Sequence, residues 1–287
     1  MKQYQDLLRK TILEGKVKHN RTGINTIGII GAHMQFDLKQ GFPVVTIKKT
    51  YWKAAVSEML AFLRGYSNAA DFRALGCKVW DQNANENKTW LENPNRKGED
   101  DLGRIYGVQA RNWMPPQDYN SDLSIQPIDQ LKKVYEDLKN GIDNRREIVT
   151  HWNPGEMDKM ALPPCHLLYQ FGIQDNELHL SMYQRSCDMA LGVPFNIVGY
   201  SWLLTVMAQI TNHKVGTLNH FLHDVHIYEN HLDGVKEMLT RTPMQLPTLY
   251  MNGNIKTLED LETWVTIDDF ELLNYKSHDA IKLDMAV

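Results

Sequence analysis

The sequence is poor in cysteine and contains no cysteine framework. Its 287 residues include three cysteines, Cys77, Cys165 and Cys187, an odd number without regular spacing. A disulfide-rich secreted domain needs paired cysteines, so that class is excluded and a reducing compartment is expected. The first residues lack the apolar run of a signal peptide, and no stretch is predicted to be apolar enough to cross a bilayer. We therefore expect a soluble, cytoplasmic protein with no membrane partner.

Strong charge and nucleotide-cradle motifs are also missing. The net charge is −4, so no nucleic-acid partner is expected. No Gly-x-Gly-x-x-Gly and no Walker loop occurs, so dinucleotide cofactors and nucleoside triphosphates have no visible cradle. Residues 220–231 are rich in histidine. Because no Cys-x-x-Cys or His-Glu-x-x-His pattern accompanies them, no metal is expected.

The composition is that of a globular protein, with 43% hydrophobic and 23% charged residues. Apolar residues at helical spacing predict helices over 2–14, 51–64, 126–140, 195–211 and 229–240. Alternation predicts strands over 26–38, 145–152, 166–171 and 178–183, and 217–228 is predicted as strand or loop. The polar segment 81–124 is predicted as a long loop. Without repeats or linkers, residues 1–287 are predicted to form one α+β domain.

The most informative residue is Cys165, which follows Pro163 and Pro164 at the start of a predicted strand. Two prolines make a stiff leader, although a buried apolar role is the commonest one for a lone cysteine. A two-residue loop at Asp175-Asn176 would form a hairpin that places Cys165 opposite Ser186 and beside Arg185. A guanidinium near a thiol favours the nucleophilic thiolate. The pattern therefore predicts Cys165 as a nucleophile.

Other polar residues have both a binding and a structural interpretation. Asn196 follows a Gly-Val-Pro turn, where its amide suits either a heterocycle edge or a helix cap. Asp188 precedes the same turn and is also a candidate cap. Arg21, Arg145 and Arg146 suit a phosphate dianion, although arginines are commonly solvated on the surface.

Three ordered motifs resemble the thymidylate synthase family. They are Leu162-Pro163-Pro164-Cys165-His166, Gln184-Arg185-Ser186-Cys187-Asp188 and Leu191-Gly192-Val193-Pro194-Phe195-Asn196-Ile197. Further matches extend over nearly the whole chain, from Arg21-Thr22-Gly23 to Met285-Ala286-Val287. The resemblance implies a single domain with a large mixed β-sheet covered by helices. It also implies a homodimer in which two sheets pack back to back.

The resemblance further implies an activity. In it, Cys165 attacks C6 of dUMP, and 5,10-methylenetetrahydrofolate serves as carbon donor and reductant for the conversion to dTMP, with no metal. The sequence departs from the family on the expected folate side at Tyr51, Asn83, Ala110 and 222–223. These departures keep an alternative open, a dUMP hydroxymethylase that makes 5-hydroxymethyl-dUMP and releases tetrahydrofolate.

The resemblance also assigns site residues. Catalytic roles fall to Cys165, to Glu58 as general acid/base, and to Arg185, Asp188 and Tyr106. Substrate-binding roles fall to Arg21, Arg145, Arg146, Arg185, Ser186, Cys187, Asp188, Asn196, His226, Tyr228 and His166, with Arg145 and Arg146 reaching the partner subunit's site. Folate-binding roles fall to Tyr51, Trp80, Asp188, Gly192, Phe195, Ala286 and Val287.

Overall fold

A computed structural model describes residues 1–20, 23–115 and 126–284 of the chain. Three residues assigned by the resemblance, Arg21, Ala286 and Val287, lie outside the described residues. The predicted α+β fold, with a large mixed sheet covered by helices, is confirmed.

The main sheet has six strands in the order β1-β2-β6-β5-β4-β3. Its strands are β1 (Lys16–Lys18), β2 (Thr26–Asp37), β3 (Ile148–Thr150), β4 (His166–Gln174), β5 (Glu177–Asp188) and β6 (Lys214–Tyr228). All neighbours are antiparallel except β5 and β6, which are parallel. A second, two-stranded sheet pairs β7 (Thr248–Met251) with β8 (Phe270–Leu273). The segment 217–228, left open between strand and loop, is thus part of the long strand β6.

Ten helices accompany the sheets within the described ranges, with short 3₁₀ turns between some of them. They are α1 (Lys2–Glu14), α2 (Trp52–Leu63), α3 (Ala69–Ala74), α4 (Asp81–Asn85), α5 (Lys88–Leu91), α6 (Tyr106–Arg111), α7 (Gln130–Lys139), α8 (Gly192–Ile210), α9 (Leu232–Thr240) and α10 (Leu258–Glu262). Helix α7 begins later than predicted because Asp129 caps it, accepting a hydrogen bond from the Lys132 N–H at 2.9 Å. The predicted loop 81–124 is wrong where it is described, since α4, α5 and α6 lie in it.

The hairpin of β4 and β5 sets the position of Cys165. Its turn residues Asp175 and Asn176 have φ values of 51° and 62°, and Gln174 pairs with Glu177, so the predicted two-residue loop is confirmed. A β-bulge between His166 and Leu168 then shifts the register by one residue. The prediction that Cys165 lies opposite Ser186 is therefore wrong. The Arg185 N–H donates to the Cys165 carbonyl at 2.8 Å instead.

Helix α8 is the central helix of the core and connects the parallel strands β5 and β6. It packs against both strands and against α2, and its side chains are apolar around almost its whole circumference. By length and composition it is also apolar enough to cross a membrane, contrary to the sequence-based expectation, but 78% of its most apolar window is buried inside the protein. The helix starts at Gly192 and not at Phe195, so Pro194 is its third residue. Proline is tolerated there because the first four N–H groups of a helix have no intrahelical acceptor.

Candidate active site

An open cleft of about 680 Å³ lies beside the start of β4. It brings together residues from distant parts of the sequence, among them Lys18, Thr26, Trp152, Cys165, Arg185, Ser186, Asp224, His226 and Tyr228. Five of these, Cys165, Arg185, Ser186, His226 and Tyr228, carry predicted site roles. Strand pairing explains the grouping, since Ser186 pairs with Asp224 and Thr26 with Tyr228 across adjacent strands.

Both backbone polar groups of Cys165 are fixed by hydrogen bonds. Its N–H donates to the Tyr106 hydroxyl at 2.6 Å, and its carbonyl accepts from the Arg185 N–H at 2.8 Å. Tyr106 is itself buried, and its ring packs on His166 with centroids 4.2 Å apart. The half-buried side chain of Cys165 therefore faces the cleft from a rigid backbone, as a nucleophile requires.

The Arg185 guanidinium is held by the proline leader. Its Nε donates to the Pro164 carbonyl at 2.8 Å, and its Nη2 donates to the Pro163 carbonyl at 3.0 Å. The guanidinium carbon also lies 5.5 Å from the centroid of the Trp152 ring, a cation–π distance. Within the described part of the chain these hydrogen bonds use two of the five guanidinium donors, which leaves donors for an anion in the cleft.

Glu58 lies in α2, and the aromatic side chains of Trp80 and Tyr106 lie between it and the backbone of Cys165. Trp80 Nε1–H donates to Glu58 Oε1 at 2.8 Å, and the Trp80 ring packs edge-on against Tyr106 at 5.8 Å between centroids. Burial raises the pKa of Glu58 to about 7, while the hydrogen bond from Trp80 lowers it in part. A carboxyl group that titrates near neutral pH is suited to giving and taking protons. Contacts therefore run from Glu58 through Trp80 and Tyr106 to the Cys165 backbone, although Glu58 does not line the cleft.

His226 stands on β6 with a carboxylate partner. Its Nδ1 lies 3.1 Å from Asp224 Oδ1, and Asp224 Oδ2 accepts from Lys18 Nζ at 2.6 Å. The hydrogen bond with His226 and the contact with Lys18 lower the pKa of Asp224 to about 2, so its carboxylate is ionised at neutral pH. Asp224 thus fixes the ring orientation of His226 and directs Nε2 away from itself. Tyr228 follows two residues later on the same strand face and packs edge-on against His226.

Asn196 and Asp188 lie on either side of the start of α8. Asp188 Oδ1 accepts from the N–H groups of Ala190 at 2.9 Å and Leu191 at 3.3 Å, so its side chain stabilises the turn that precedes α8. The Asn196 side chain does not cap the helix. Its Oδ1 accepts from Gln184 Nε2 at 2.9 Å. Neither residue lines the cleft, and their assigned contacts with ligands remain predictions.

The remaining assigned residues are dispersed. His166 is buried and its Nδ1 lies 2.7 Å from the Tyr200 hydroxyl, while Cys187 is buried with its Sγ 3.4 Å from the Gln184 carbonyl. Burial raises the pKa of the Cys187 thiol. Other assigned residues lie elsewhere on the chain: Gly192 and half-buried Phe195 in the first turn of α8, exposed Tyr51 before α2, and exposed Arg145 and Arg146 before β3. Their roles remain predictions.

Several cleft residues were not predicted as contributors to the site, among them Asp224, Trp152 and Lys18. Asp224 had a usable signal, because positions 224, 226 and 228 alternate on one strand and share a face. Trp152 had no local signal, since its packing on Arg185 depends on tertiary structure. Lys18 had no local signal, since it reaches Asp224 only through the pairing of β1, β2 and β6. Among the described residues, no group of three metal-ligating side chains is placed to hold a metal ion.

Comparisons with known proteins agree along the full length. The family model described as Thymidylate synthase matches residues 2–287. A relative named Thymidylate synthase from Aliivibrio fischeri is 48% identical over 290 residues, which covers 100% of both chains. Relatives with the same name from Haemophilus influenzae and Photobacterium profundum are 48% and 47% identical, again over 100% of both chains. The chain belongs to the thymidylate synthase family.

Proposed function

We propose that this protein converts dUMP to dTMP by reductive methylation, using 5,10-methylenetetrahydrofolate as cosubstrate. The observation that carries the proposal is the placement of Cys165 and Arg185 in one cleft, in a chain that matches the family over residues 2–287. The enzyme is therefore a methyltransferase acting on a pyrimidine nucleotide.

The proposed chemistry begins at Cys165. Its thiolate adds to C6 of the uracil ring, and the electron pair moves towards O4 and makes C5 nucleophilic. Arg185 is rigidly held beside the thiol's backbone and provides positive charge for the thiolate and for the substrate phosphate. The cosubstrate supplies the one-carbon unit and the hydride that reduces it. C5 bonds to the one-carbon unit, and loss of the C5 proton then expels the folate amine and leaves an exocyclic methylene group. Hydride transfer to that group expels Cys165, which gives dTMP and dihydrofolate.

Proton transfer in this scheme belongs to Glu58. Its pKa of about 7 keeps protonated and ionised forms in comparable amounts at neutral pH, so the same group both donates and accepts a proton. Because Glu58 lies behind Trp80, we propose that it acts on the O4 side of the uracil and on the folate nitrogen through water. His226 and Tyr228, which line the cleft from β6, are proposed to bind the deoxyribose hydroxyl.

Methylation is favoured over hydroxymethylation. Hydroxymethylation needs water to capture the exocyclic methylene group, and a dry, closed folate side suppresses that reaction. Trp80 is retained and buried against Tyr106 and Phe62. Several full-length relatives carry the name thymidylate synthase, and this supports methylation despite the departures at Asn83 and Ala110 in this chain.

The assembly is proposed to be a homodimer of one-domain chains, covering residues 1–287, in the cytoplasm. A row of apolar and aromatic residues crosses the outer face of the sheet: Leu168 pairs with Tyr183, Tyr183 with Phe221, and Phe221 with His33. Phe221 stays 42% exposed in the single chain, which supports a sheet-to-sheet contact with a second copy. Arg145 and Arg146 are exposed and lie outside the cleft of their own chain. This supports the proposal that they bind the substrate phosphate in the cleft of the partner subunit.

The test is product identification. The protein is incubated with dUMP and 5,10-methylenetetrahydrofolate, the nucleotide product is separated and identified, and dihydrofolate is measured by absorbance. We expect equimolar dTMP and dihydrofolate. Formation of 5-hydroxymethyl-dUMP with tetrahydrofolate would show that water captures the methylene group and would overturn the proposal. Binding of dUMP without any turnover would indicate a catalytically silent homologue.

A further inference from the structure

His220 is a buried histidine that the proposed chemistry does not use. It lies on β6, fully buried on the core face of the sheet and outside the cleft. Its Nε2 is 2.8 Å from Oε1 of Gln184, a residue that is itself only 2% exposed. The Gln184 amide nitrogen in turn donates to the Ser186 carbonyl and to Asn196 Oδ1, both at 2.9 Å. A buried chain of hydrogen bonds therefore links His220 to Asn196.

The donor and the acceptor of each hydrogen bond between His220 and Asn196 follow from the chemistry of the groups involved. The Ser186 carbonyl can only accept, so the Gln184 amide must turn its NH₂ group towards it and towards Asn196. Gln184 Oε1 then faces His220 and requires a donor, which places the proton of the imidazole on Nε2. The Nδ1 atom of His220 has no hydrogen-bond partner within the described part of the chain, as suits the unprotonated nitrogen. Burial lowers the pKa of His220 to about 3, so the ring is neutral at neutral pH.

The same directions fix the amide of Asn196. Because its Oδ1 accepts from Gln184, its NH₂ group is turned to the other side as a donor. The resemblance assigns Asn196 a substrate-binding role, and we propose that its amide contacts the edge of the pyrimidine base. A donor at this position suits the 4-oxo group of uracil, whereas the 4-amino group of cytosine is itself a donor and is repelled.

We propose that His220 is a positioning residue that sets the preference for a 4-oxo over a 4-amino pyrimidine nucleotide. It acts through Gln184 and Asn196 and rests on the proposed function of Asn196. An apolar residue at position 220 leaves Gln184 Oε1 buried without a donor, and the glutamine then loses its fixed orientation. Without a fixed Gln184, the Asn196 amide is no longer held in one orientation. Discrimination between dUMP and dCMP therefore falls, while the cleft itself stays formed.

The test compares two substitutions at one position. His220→Leu removes the donor, whereas His220→Gln places an amide nitrogen at the side-chain depth of Nε2 and restores it. Dissociation constants of dUMP and dCMP are measured by titration for the wild-type protein and both variants, so turnover of dCMP is not needed. We expect His220→Leu to lower the preference for dUMP over dCMP about tenfold, and His220→Gln to retain it within about threefold. Thermal unfolding of both variants reports any general loss of stability.

The outcomes separate this proposal from the proposed function. Equal weakening of both nucleotides by His220→Leu, with an unchanged ratio, shows a merely structural role and overturns the inference alone. A wild-type protein that binds neither nucleotide contradicts both. Nitrogen NMR of the wild-type imidazoles adds a readout that does not depend on the folding of a variant. We expect the His220 proton on Nε2, and a proton on Nδ1 would overturn the proposed direction of the chain.

Discussion

Ionisation of Glu58 costs folding free energy, and replacement by glutamine measures that cost. Burial raises the pKa of Glu58 from 4.5 to about 7. Below the lower value the carboxyl is protonated in both the folded and the unfolded state. Between the two values the folded state keeps a proton that the unfolded state has lost, so stability declines as the pH rises. Above the upper value both states are ionised and the full penalty applies.

The size of the penalty follows from the shift. The rise in the pKa of Glu58 from 4.5 to about 7 corresponds to about 3 kcal/mol at 1.36 kcal/mol per pKa unit. Glu58→Gln keeps an oxygen that accepts from Trp80 Nε1–H, and it keeps the side-chain volume. We therefore expect the free energy of unfolding of Glu58→Gln to exceed that of the wild type by about 3 kcal/mol at pH 8, and by less than about 1 kcal/mol at pH 5.

The assay is urea unfolding of both proteins at pH 5 and pH 8, at one fixed protein concentration because association in the proposed homodimer would contribute to stability. The matched control is Glu86→Gln, since Glu86 is exposed in the same chain. We expect this control to change stability by less than about 0.5 kcal/mol at either pH. A difference between Glu58→Gln and wild type that is the same at both pH values would refute the reasoning. Glu58→Gln is also expected to lose turnover, so the same substitution would raise the stability of the fold and remove the activity.

Three further substitutions test single contacts. Cys165→Ala is expected to bind dUMP in a titration but to give no dTMP; substantial residual turnover would remove Cys165 from the nucleophile role. Asn196→Asp is expected to shift the preference from dUMP towards dCMP in a competition assay, and an unchanged preference would count against base reading by Asn196. Tyr106→Phe leaves the Cys165 N–H without its acceptor and is expected to destabilise the protein by about 1–3 kcal/mol in urea unfolding, with slower turnover. Unchanged stability and rate in Tyr106→Phe would show that the hydroxyl does not fix the peptide.

Local rules predicted the elements that depend on local chemistry. The Asp175-Asn176 turn was correctly placed because both residues tolerate positive φ and the flanking residues alternate. Helices α1 and α2 were placed to within one residue at either end by their apolar spacing. The start of α8 was missed by three residues, because a proline is tolerated within the first turn of a helix and so Pro194 does not mark where the helix begins.

Features that depend on tertiary contacts were beyond the sequence. The short helices in 81–111 are too short to be stable alone. Helix α5 is held by Trp90, which is buried and donates from Nε1 to the Asp101 carbonyl at 2.6 Å. Likewise, the use of the Pro163 and Pro164 carbonyls as acceptors for Arg185 cannot be derived from the proline pattern, which indicates only a stiff backbone. Cys165 was predicted as a nucleophile and Tyr106 and Arg185 as site residues, but the backbone hydrogen bonds by which these two residues hold Cys165 were not predicted.

The bulge at Leu167 lies between the part of β4 that pairs regularly with β5 and the residue that carries the thiol, Cys165. Leu167 has no partner on β5, and its carbonyl instead accepts from the His151 N–H at 2.7 Å. On one side of it, the register from Leu168 to the Asp175-Asn176 turn is set by the sheet. On the other side, the position of Cys165 is set by Tyr106 and Arg185. The position of Cys165 therefore depends more directly on Tyr106 of α6 and Arg185 of β5 than on the distant turn, so substitutions in the turn are expected to move the thiol less than substitutions at these two contacts.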